Sequence, residues 1–338
     1  MKKIIAVTFI LLTAFVGWVS ADALDEGAAA FDAGNYAEAL TFFEQGAEQG
    51  DANAQYNLGV MYDKGQGVSQ DYVQALNWYR KAAELGHVKA QHNVASIYTR
   101  GQGVARDDAQ GVQWYLRAAE QGDANAQANL GYRYANGQGV SQDYTRALNW
   151  YLKAAEQGHP NAQANLGYWY SKGQGVPQDY GQALKWYRKA AEQGDAIAQY
   201  NLGLTYYFGQ GASQDYEQAA KWYRKAAEQG TAAAQSKLGV MYFLGEGVSY
   251  NNGQALSWCR RAAEQGDAEG QYCLGLLYAT GKGVPQNFIL AHMWFDLASV
   301  AGSEEASVHR DQAATLMTPL QLVEARKLAR EWQATSLL

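Results

Sequence analysis

Proline and cysteine are both scarce in this chain, with four prolines and two cysteines in 338 residues. Two cysteines exclude a disulfide-rich miniature fold and a four-thiolate zinc site. Positive charge is also in deficit, since 27 basic residues face 33 acidic ones and the formal net charge is −6. Nucleic-acid binding depends on neutralising phosphates, so we expect no nucleic-acid partner.

Apolar runs long enough to span a membrane are missing after the first residues. Lys2 and Lys3 precede an apolar run over 4–19, which ends in Ser20 and Ala21. This pattern is typical of a secretory signal peptide over 1–21, cleaved near Ala21. The alternative, a retained anchor, is disfavoured because the run is short of the roughly 20 residues that span a bilayer. We expect a periplasmic or secreted mature chain without stable membrane insertion.

Glycine and aromatic residues are abundant, and a repeat accounts for them. The chain holds 36 glycines, 24 tyrosines and 10 tryptophans. The string Ala-Glu-Gln-Gly and its variants recur every 36 residues, ending at Gly50, Gly86, Gly122, Gly158, Gly194, Gly230, Gly266 and Gly302. A fixed period of this size indicates a solenoid whose units bury their cores against one another. Seven gapless units therefore fill 51–302, flanked by 22–50 and 303–338.

Each unit contains the signals of two helices. In the first unit, Ala54, Leu58 and Tyr62 follow the spacing of one helical face. A second helix is predicted from about Tyr72 to Leu85, after the N-cap residue Asp71. Gly86 stands where a left-handed residue ends a helix. No segment is typical of a strand, so the predicted fold class is all-α.

The repeated text resembles the Sel-1-like repeat family, which is related to the tetratricopeptide repeats. The matching residues run from Ala54 to Gly86 and read AQYNLGVMYDKGQGVSQDYVQALNWYRKAAELG. The resemblance implies a right-handed superhelical solenoid of α/α hairpins that acts as an adaptor or scaffold. Segment 22–50 lacks the Gly-x-Gly-Val insertion and looks like a tetratricopeptide-type capping hairpin. Capping helices are expected over 303–338, the last with Thr318 as N-cap and Pro319 at its first position.

Positions that are identical in all units are interpreted as structural. One row holds a tryptophan in every unit, from Trp78 to Trp294, and another holds a glutamine, from Gln55 to Gln271. We predict that the tryptophans pack in the core. A row of aromatic platforms for carbohydrate is the alternative. The glutamines are predicted to satisfy backbone groups between repeats.

Variable positions of the first helices are the candidates for partner binding. By analogy with tetratricopeptide repeats, the concave face is lined by the equivalents of Asn53, Tyr56, Val60, Asp63 and Lys64. These positions are mostly polar in the second to fourth units and turn apolar in the fifth and sixth. We predict that a protein or peptide docks there. The alternative is that these side chains fill a tighter core between repeats. The candidates are Tyr132, Tyr168, Ile197, Tyr200, Leu204, Tyr207, Phe208, Val240, Phe243 and Leu244.

The two cysteines replace residues that most other repeats share. Cys259 takes the place of a tyrosine such as Tyr79, and Cys273 takes the place of an asparagine such as Asn57. They lie seven residues before and after Gly266, at matching heights on consecutive helices. We predict a disulfide bond, which persists in an exported protein. Two buried free thiols are the alternative.

Catalytic signatures are missing from the sequence. The five histidines form no His-Glu-x-x-His pair, and neither Gly-x-Ser-x-Gly nor Ser-x-x-Lys occurs. We therefore nominate no catalytic residue, metal site or cofactor. The predicted function is a monomeric, non-enzymatic interaction scaffold. The alternatives are a carbohydrate or peptidoglycan binder and, least favoured, a hydrolase with a β-lactamase-like activity, to which some cysteine-rich relatives have been linked.

Overall fold

The structure is a computed structural model that describes residues 24–336, and these residues form eighteen helices and no strand. The all-α prediction is confirmed for this range. The predicted signal peptide over 1–21 lies outside the described residues. The helices are α1 (24–32), α2 (Tyr36–Glu48), α3 (Ala52–Lys64), α4 (Tyr72–Glu84), α5 (Val88–Arg100), α6 (Asp108–Glu120), α7 (Ala124–Asn136), α8 (Tyr144–Glu156), α9 (Pro160–Lys172), α10 (Tyr180–Glu192), α11 (Ala196–Phe208), α12 (Tyr216–Glu228), α13 (Ala232–Leu244), α14 (Asn252–Glu264), α15 (Ala268–Thr280), α16 (Phe288–Val300), α17 (Glu304–Thr315) and α18 (Pro319–Ser336).

Local caps fix where the helices begin and end. Asp71 accepts hydrogen bonds from the amides of Val73 and Gln74 at the start of α4, as predicted. In the later second helices the cap residue accepts one amide, that of the residue three positions on; these caps are Asp107, Asp143, Asp179, Asp215, Asn251 and Asn287. Gly86 has a φ of 91°, which confirms the predicted left-handed residue after α4. Side-chain acceptors and glycines therefore set the hairpin lengths.

The glycine pair in each connector serves two different needs. Gly65 ends α3 with a φ of 69°. The second glycine also has a positive φ, and it lies against the previous repeat. A Cβ on Gly103 would meet Tyr72, and one on Gly211 would meet the backbone of Tyr180. Only glycine allows this close approach, so the connector packs consecutive hairpins together.

The chain divides into two compact units between Ala162 and Gln163, a division that falls within α9. In the first unit, Phe43, Leu58 and Met61 form a buried cluster with at most 1% of each residue exposed. In the second unit, Tyr223 and Leu238 are fully buried in one cluster, and Cys259, Leu274 and Trp294 belong to another. Each unit thus has core clusters of its own, and in the second unit candidate residues such as Tyr207 and Phe243 pack against them.

A ladder of glutamines connects successive repeats. Gln91 is buried, donates its Nε2 to the carbonyl of Ala83 at 3.1 Å and accepts a bond from Gln121 Nε2 at 2.8 Å. The prediction that this row satisfies backbone groups is confirmed. The same side-chain bond joins Gln157 to Gln127 in the first unit, and Gln193 to Gln163, Gln229 to Gln199 and Gln265 to Gln235 in the second.

Four tryptophans of the row are buried in the core, as predicted, whereas Trp78, Trp150 and Trp258 are half-buried. Trp114, Trp186, Trp222 and Trp294 are each at most 8% exposed. Where a lysine or arginine follows three residues later, its cation covers the ring, as Lys81 does at 3.8 Å above Trp78. The same contact recurs at Trp114, Trp150, Trp186, Trp222 and Trp258. These rings are therefore engaged on at least one face.

The C-terminal helices α17 and α18 pack against α16 of the last repeat. Thr318 Oγ1 accepts the amide of Gln321, while Gln321 Oε1 accepts the amide of Thr318 at 2.8 Å. This reciprocal pair confirms the predicted N-cap and starts α18 at Pro319. The ring of Trp332 then lies 4.9 Å from that of Trp294. The interpretation of 303–338 as a capping segment remains a prediction.

Candidate partner-binding face and groove

The predicted face in the second unit is partly covered and partly open. Ile197, Phe208 and Leu244 are 68%, 56% and 55% exposed. The half-buried members, which pack their inner edges against the core clusters, are Tyr200, Leu204, Tyr207, Val240 and Phe243. The eight side chains therefore lie over the core without being enclosed by it. We call this set, on α11 and α13, the apolar face.

The two remaining candidates are solvent-exposed tyrosines. Tyr132 on α7 in the first unit is 50% exposed, and Tyr168 on α9 is 45% exposed. Tyr168 lies on the part of α9 that belongs to the second unit. About half of each side chain is therefore accessible to solvent. Each tyrosine offers a partner one aromatic contact.

Tyr207 is the most constrained member of the apolar face. Its hydroxyl donates to Glu246 Oε2 at 2.9 Å, and its ring lies 5.1 Å from Phe208 and 5.0 Å from Tyr216. Desolvation by burial, together with the hydrogen bond to Glu246, raises the pKa of Tyr207 to about 12. The phenol is therefore a neutral donor near pH 7. A substitution of Tyr207 would remove these contacts as well as any contact with a partner. Substitutions that test binding are therefore better made at the exposed residues around it.

A groove in the second unit begins at the end of the apolar face. It has a volume of about 500 Å³, and Val240, Phe243 and Leu244 line one side. The other side includes Tyr272 and Leu276 from α15, which were not among the predicted binding residues. They are the seventh-repeat equivalents of Tyr200 and Leu204. Their positions in the 36-residue repeat could therefore have identified both as binding candidates. We call this cavity the groove.

One of the two carboxylates that line the groove, Glu269, already has a partner. Lys237 Nζ lies 2.8 Å from Glu269 Oε1, and Lys282 Nζ lies 4.7 Å from the centre of the Phe243 ring. Glu269 and Glu305 are the carboxylates among the lining residues. Apart from Glu269, Ser303 and Glu305, the side chains that line the groove are aromatic, aliphatic or the bonded cysteine. An apolar side chain is therefore the ligand group that fits it best.

The predicted disulfide is present in the structure and supports the groove from below. Cys259 of α14 and Cys273 of α15 are bonded, with their Cα atoms 5.9 Å apart. They are 0% and 2% exposed, and Cys273 lines the groove. Because α15 also carries Tyr272 and Leu276, the bond fixes the helix that forms one wall.

The first unit presents a polar pocket instead. A cavity of about 330 Å³ is lined by residues that include Asp63, Lys64, His92, Ser96 and Arg100. All five lie on first helices, as do the residues of the apolar face. The contrast between polar and apolar repeats was predicted from the sequence. It places the apolar binding candidates in the second unit.

Two further features concern the described residues as a whole. Over 24–336, no cluster of three or more histidine, cysteine, aspartate or glutamate side chains has the arrangement of a metal site. In the same range, no helix has both the length and the apolar character needed to cross a bilayer.

Comparison with known proteins identifies the repeat. A family model described as Sel1 repeat matches eight consecutive stretches of the chain: 22–51, 52–87, 88–123, 124–159, 160–195, 196–231, 232–267 and 268–303. The first stretch coincides with the segment for which a tetratricopeptide-type capping hairpin is predicted, so this model counts one more repeat than the seven found by spacing. None of the curated proteins compared matches the chain.

Two solved structures are similar over most of the chain. One is a protective antigen present in uropathogenic Escherichia coli strains, described as displaying an SLR fold; it is 36% identical with a TM-score of 0.64, and the match covers 94% of this chain and 78% of the antigen. The other is a Sel1 repeat protein from Oxalobacter formigenes, also 36% identical with a TM-score of 0.64, for which the match covers 71% of this chain and 96% of that protein.

Proposed function

Because the chain belongs to the Sel1 repeat family, we propose that it is an exported, non-enzymatic scaffold that binds a protein or peptide partner through the apolar face and the groove. Repeat proteins of this type generally mediate protein–protein interactions. The observation that carries the proposal is the row of open apolar side chains on α11 and α13, which continues into a groove of about 500 Å³. Contiguous apolar surface of this kind marks interaction sites.

The exposed members of the face are not needed for the core. Leu202 and Leu238 already fill the core positions of α11 and α13, and both are 0% exposed. Covering a side chain such as Ile197 or Phe208 with a partner contributes about 1.5–3 kcal/mol. Three or four such anchors offset the cost of ordering a docked segment. A partner with a few aliphatic or aromatic anchors therefore fits this surface.

Export is supported by the disulfide. A buried bond between Cys259 and Cys273 is typical of proteins in oxidising compartments. The signal-peptide pattern over 1–21 agrees with it at the level of sequence. We propose a periplasmic or secreted location on these two grounds.

The alternative of a glycan platform has less support. Stacking on sugars needs open aromatic faces, and the tryptophan rings are packed in the core or covered by cations such as Lys81 and Lys153. Tyr132 and Tyr168 are exposed, but the other aromatic residues of α7 and α9 are buried or half-buried, so neither helix presents a row of open rings. Sedimentation of the protein with purified peptidoglycan tests this alternative. A hydrolase panel that includes a β-lactam substrate tests the non-enzymatic part of the proposal.

The binding experiment uses the mature chain, 22–338, as bait against envelope extract and culture supernatant. The test variant Ile197→Ser/Phe208→Ser/Leu244→Ser removes three exposed anchors. The control Val300→Ser/Val308→Ser/Leu316→Ser removes three apolar side chains that are 70%, 55% and 63% exposed outside the apolar face. Thermal unfolding followed by circular dichroism verifies that both variants fold.

The proposal predicts that wild type and control capture the same protein and that the test variant retains less than a tenth of it. Equal capture by all three chains would contradict binding at the apolar face. A wild-type chain that captures no protein but sediments with peptidoglycan would favour the glycan alternative.

A further inference from the structure

A second cavity of the same unit is built mainly from charged residues. It has a volume of about 640 Å³ and lies among α16, α17 and α18. Its lining includes none of the residues that line the groove. The side chains that give it its character are His292, Asp296, Arg310, Asp311, Arg326 and Arg330. We call it the arginine cavity.

Only part of its positive charge is balanced within the protein. Arg310 is paired with both acids, at 3.2 Å from Asp296 Oδ1 and 2.9 Å from Asp311 Oδ1. Arg326 and Arg330 make no ion pair or hydrogen bond in the described part of the chain. Two carboxylates thus face three guanidinium groups. The cavity carries a net positive charge in a protein whose overall charge is negative.

The two uncommitted arginines are placed to act together. They lie four residues apart on α18, so successive turns bring them to the same face of the helix. A guanidinium group presents a planar fork of donors that matches the two oxygens of a carboxylate or phosphate. Both residues are exposed, so an anion that enters from solvent can reach the pair of forks.

His292 provides an independent observation. The residue lines the cavity from α16 and is only 2% exposed, yet its Nδ1 has no hydrogen-bond partner. Burial lowers the pKa of His292, so the ring adds no charge of its own near neutral pH. His292 therefore leaves the charge of the cavity to its two carboxylates and three guanidinium groups.

We propose that the arginine cavity binds a small oxyanion, a phosphate or a carboxylate group, through Arg326 and Arg330. Arg310 is held in place by Asp296 and Asp311 and lines the same cavity from α17. The volume suits a small molecule or one charged group of a larger ligand. This site does not depend on the partner-binding proposal, because the two cavities share no lining residue.

Isothermal titration of the mature chain with inorganic phosphate and, separately, with succinate tests the proposal. Ionic strength is held constant with sodium chloride, so that a general salt effect is the same in every arm. The site variant Arg326→Gln/Arg330→Gln removes both uncommitted charges. The control Lys221→Gln/Lys327→Gln removes two charges from exposed residues that do not line the cavity, one of them on the same helix.

We expect wild type and control to bind at least one of the two anions saturably, and the site variant to bind it at least 10-fold more weakly. Stronger binding of phosphate than of succinate identifies the ligand as phosphorylated, and the reverse identifies a carboxylate. Equal binding by the site variant and the control would overturn the proposal. So would a wild-type chain that binds neither anion in excess of chloride. Matching melting temperatures of the two variants show that a loss of binding is not a loss of fold.

Discussion

At the scale of single residues, the glutamine ladder is incomplete at both ends of the repeats. Gln55 Oε1 and Gln271 Oε1 are buried without a hydrogen-bond partner, whereas Gln91 Oε1 accepts from Gln121 thirty residues later. The corresponding donor positions hold Leu85 and Ala301, neither of which has a side-chain donor. A buried acceptor that lost its water without gaining a partner destabilises the fold.

Completing the ladder is therefore expected to stabilise the protein. Leu85→Gln and Ala301→Gln each supply the missing donor, and each should raise the free energy of unfolding by about 1 kcal/mol. Urea denaturation followed by circular dichroism measures the change. Leu85→Met is the matched control, because it keeps an unbranched side chain without a donor. A gain in the methionine variant as large as in the glutamine variant would show that the hydrogen bond is not the cause.

The disulfide replaces a pair of residues that other repeats retain. Gly239 lies beneath Cys259 in the way that Gly59 lies beneath Tyr79. The glycine is thus shared by both repeats, whereas the side chain above it is a tyrosine ring in the first and a cysteine in the sixth.

Restoring the shared residues should preserve the fold while removing the cross-link. Cys259→Tyr/Cys273→Asn is expected to lose up to about 3 kcal/mol, the chain-entropy value for a loop of this length. Cys259→Ala/Cys273→Ala should lose more, because it also leaves unfilled volume in the core. Urea denaturation of the two variants and wild type provides the comparison. Two free thiols in denatured, unreduced wild type would contradict the bond on which both expectations depend.

At the scale of helices, the first helices of the repeats are capped by two kinds of residue. Asp51 accepts the amide of Ala54 at 2.7 Å at the start of α3. At the start of α5, His87 Nδ1 accepts the amide of Ala90 at 3.1 Å, and His159 Nδ1 does the same for Ala162 at the start of α9. Only a neutral imidazole can accept this bond. A proton on the ring also opposes the positive end of the helix dipole.

The histidine caps should make stability fall in mild acid. Burial lowers the pKa of His87 and of His159 below the usual value of about 6.5 that the unfolded chain retains. Below pH 6.5 the unfolded state therefore binds more protons than the folded state. The stability from these caps is complete above pH 6.5 and is lost as the pH falls below it.

The variant His87→Asp/His159→Asp checks this expectation. Aspartate already caps equivalent helices, so the variant should lose less stability than wild type between pH 7 and pH 5. Each cap is expected to contribute about 1 kcal/mol to the free energy of unfolding. Melting temperatures across this range measure the difference. Identical pH profiles would show that the histidine caps do not cause the loss of stability in acid. His292, whose pKa is also lowered by burial, would then be the candidate cause.

Helix bounds and core rows were predictable because their causes are local or repeated. Asp71 and Gly86 delimit α4 within the sequence of one repeat. The bond from Tyr207 to Glu246 spans 39 residues and depends on how two hairpins pack. The arginine cavity was not foreseen, because α17 and α18 break the 36-residue register and no second copy exists for comparison. Arg310 and Arg326 line the same cavity only because three helices pack around it.

At the scale of the molecule, the two units differ in the surfaces that they offer. The polar pocket around Asp63 and Arg100 belongs to the first unit. The apolar face, the groove, the disulfide and the arginine cavity all belong to the second. The apolar face, the groove and the disulfide come from the minority of positions that vary between repeats, whereas the arginine cavity needs α17 and α18, which lie outside the repeats. Binding functions are therefore expected to separate by unit.

Repeat architecture also limits how far a local change spreads. Each helix packs on its neighbours in sequence, so a perturbation should decay within about one repeat. Reduction of the bond between Cys259 and Cys273 loosens the cluster that contains Leu274 and Trp294. Amide hydrogen exchange should become faster in α14, α15 and α16 and remain unchanged in α3 to α6. Mass spectrometry with and without reductant measures both regions. Cys259→Tyr/Cys273→Asn serves as the control, since reductant should not alter its exchange. Faster exchange in α3 to α6 of wild type would show that the protein opens as one cooperative body instead of repeat by repeat.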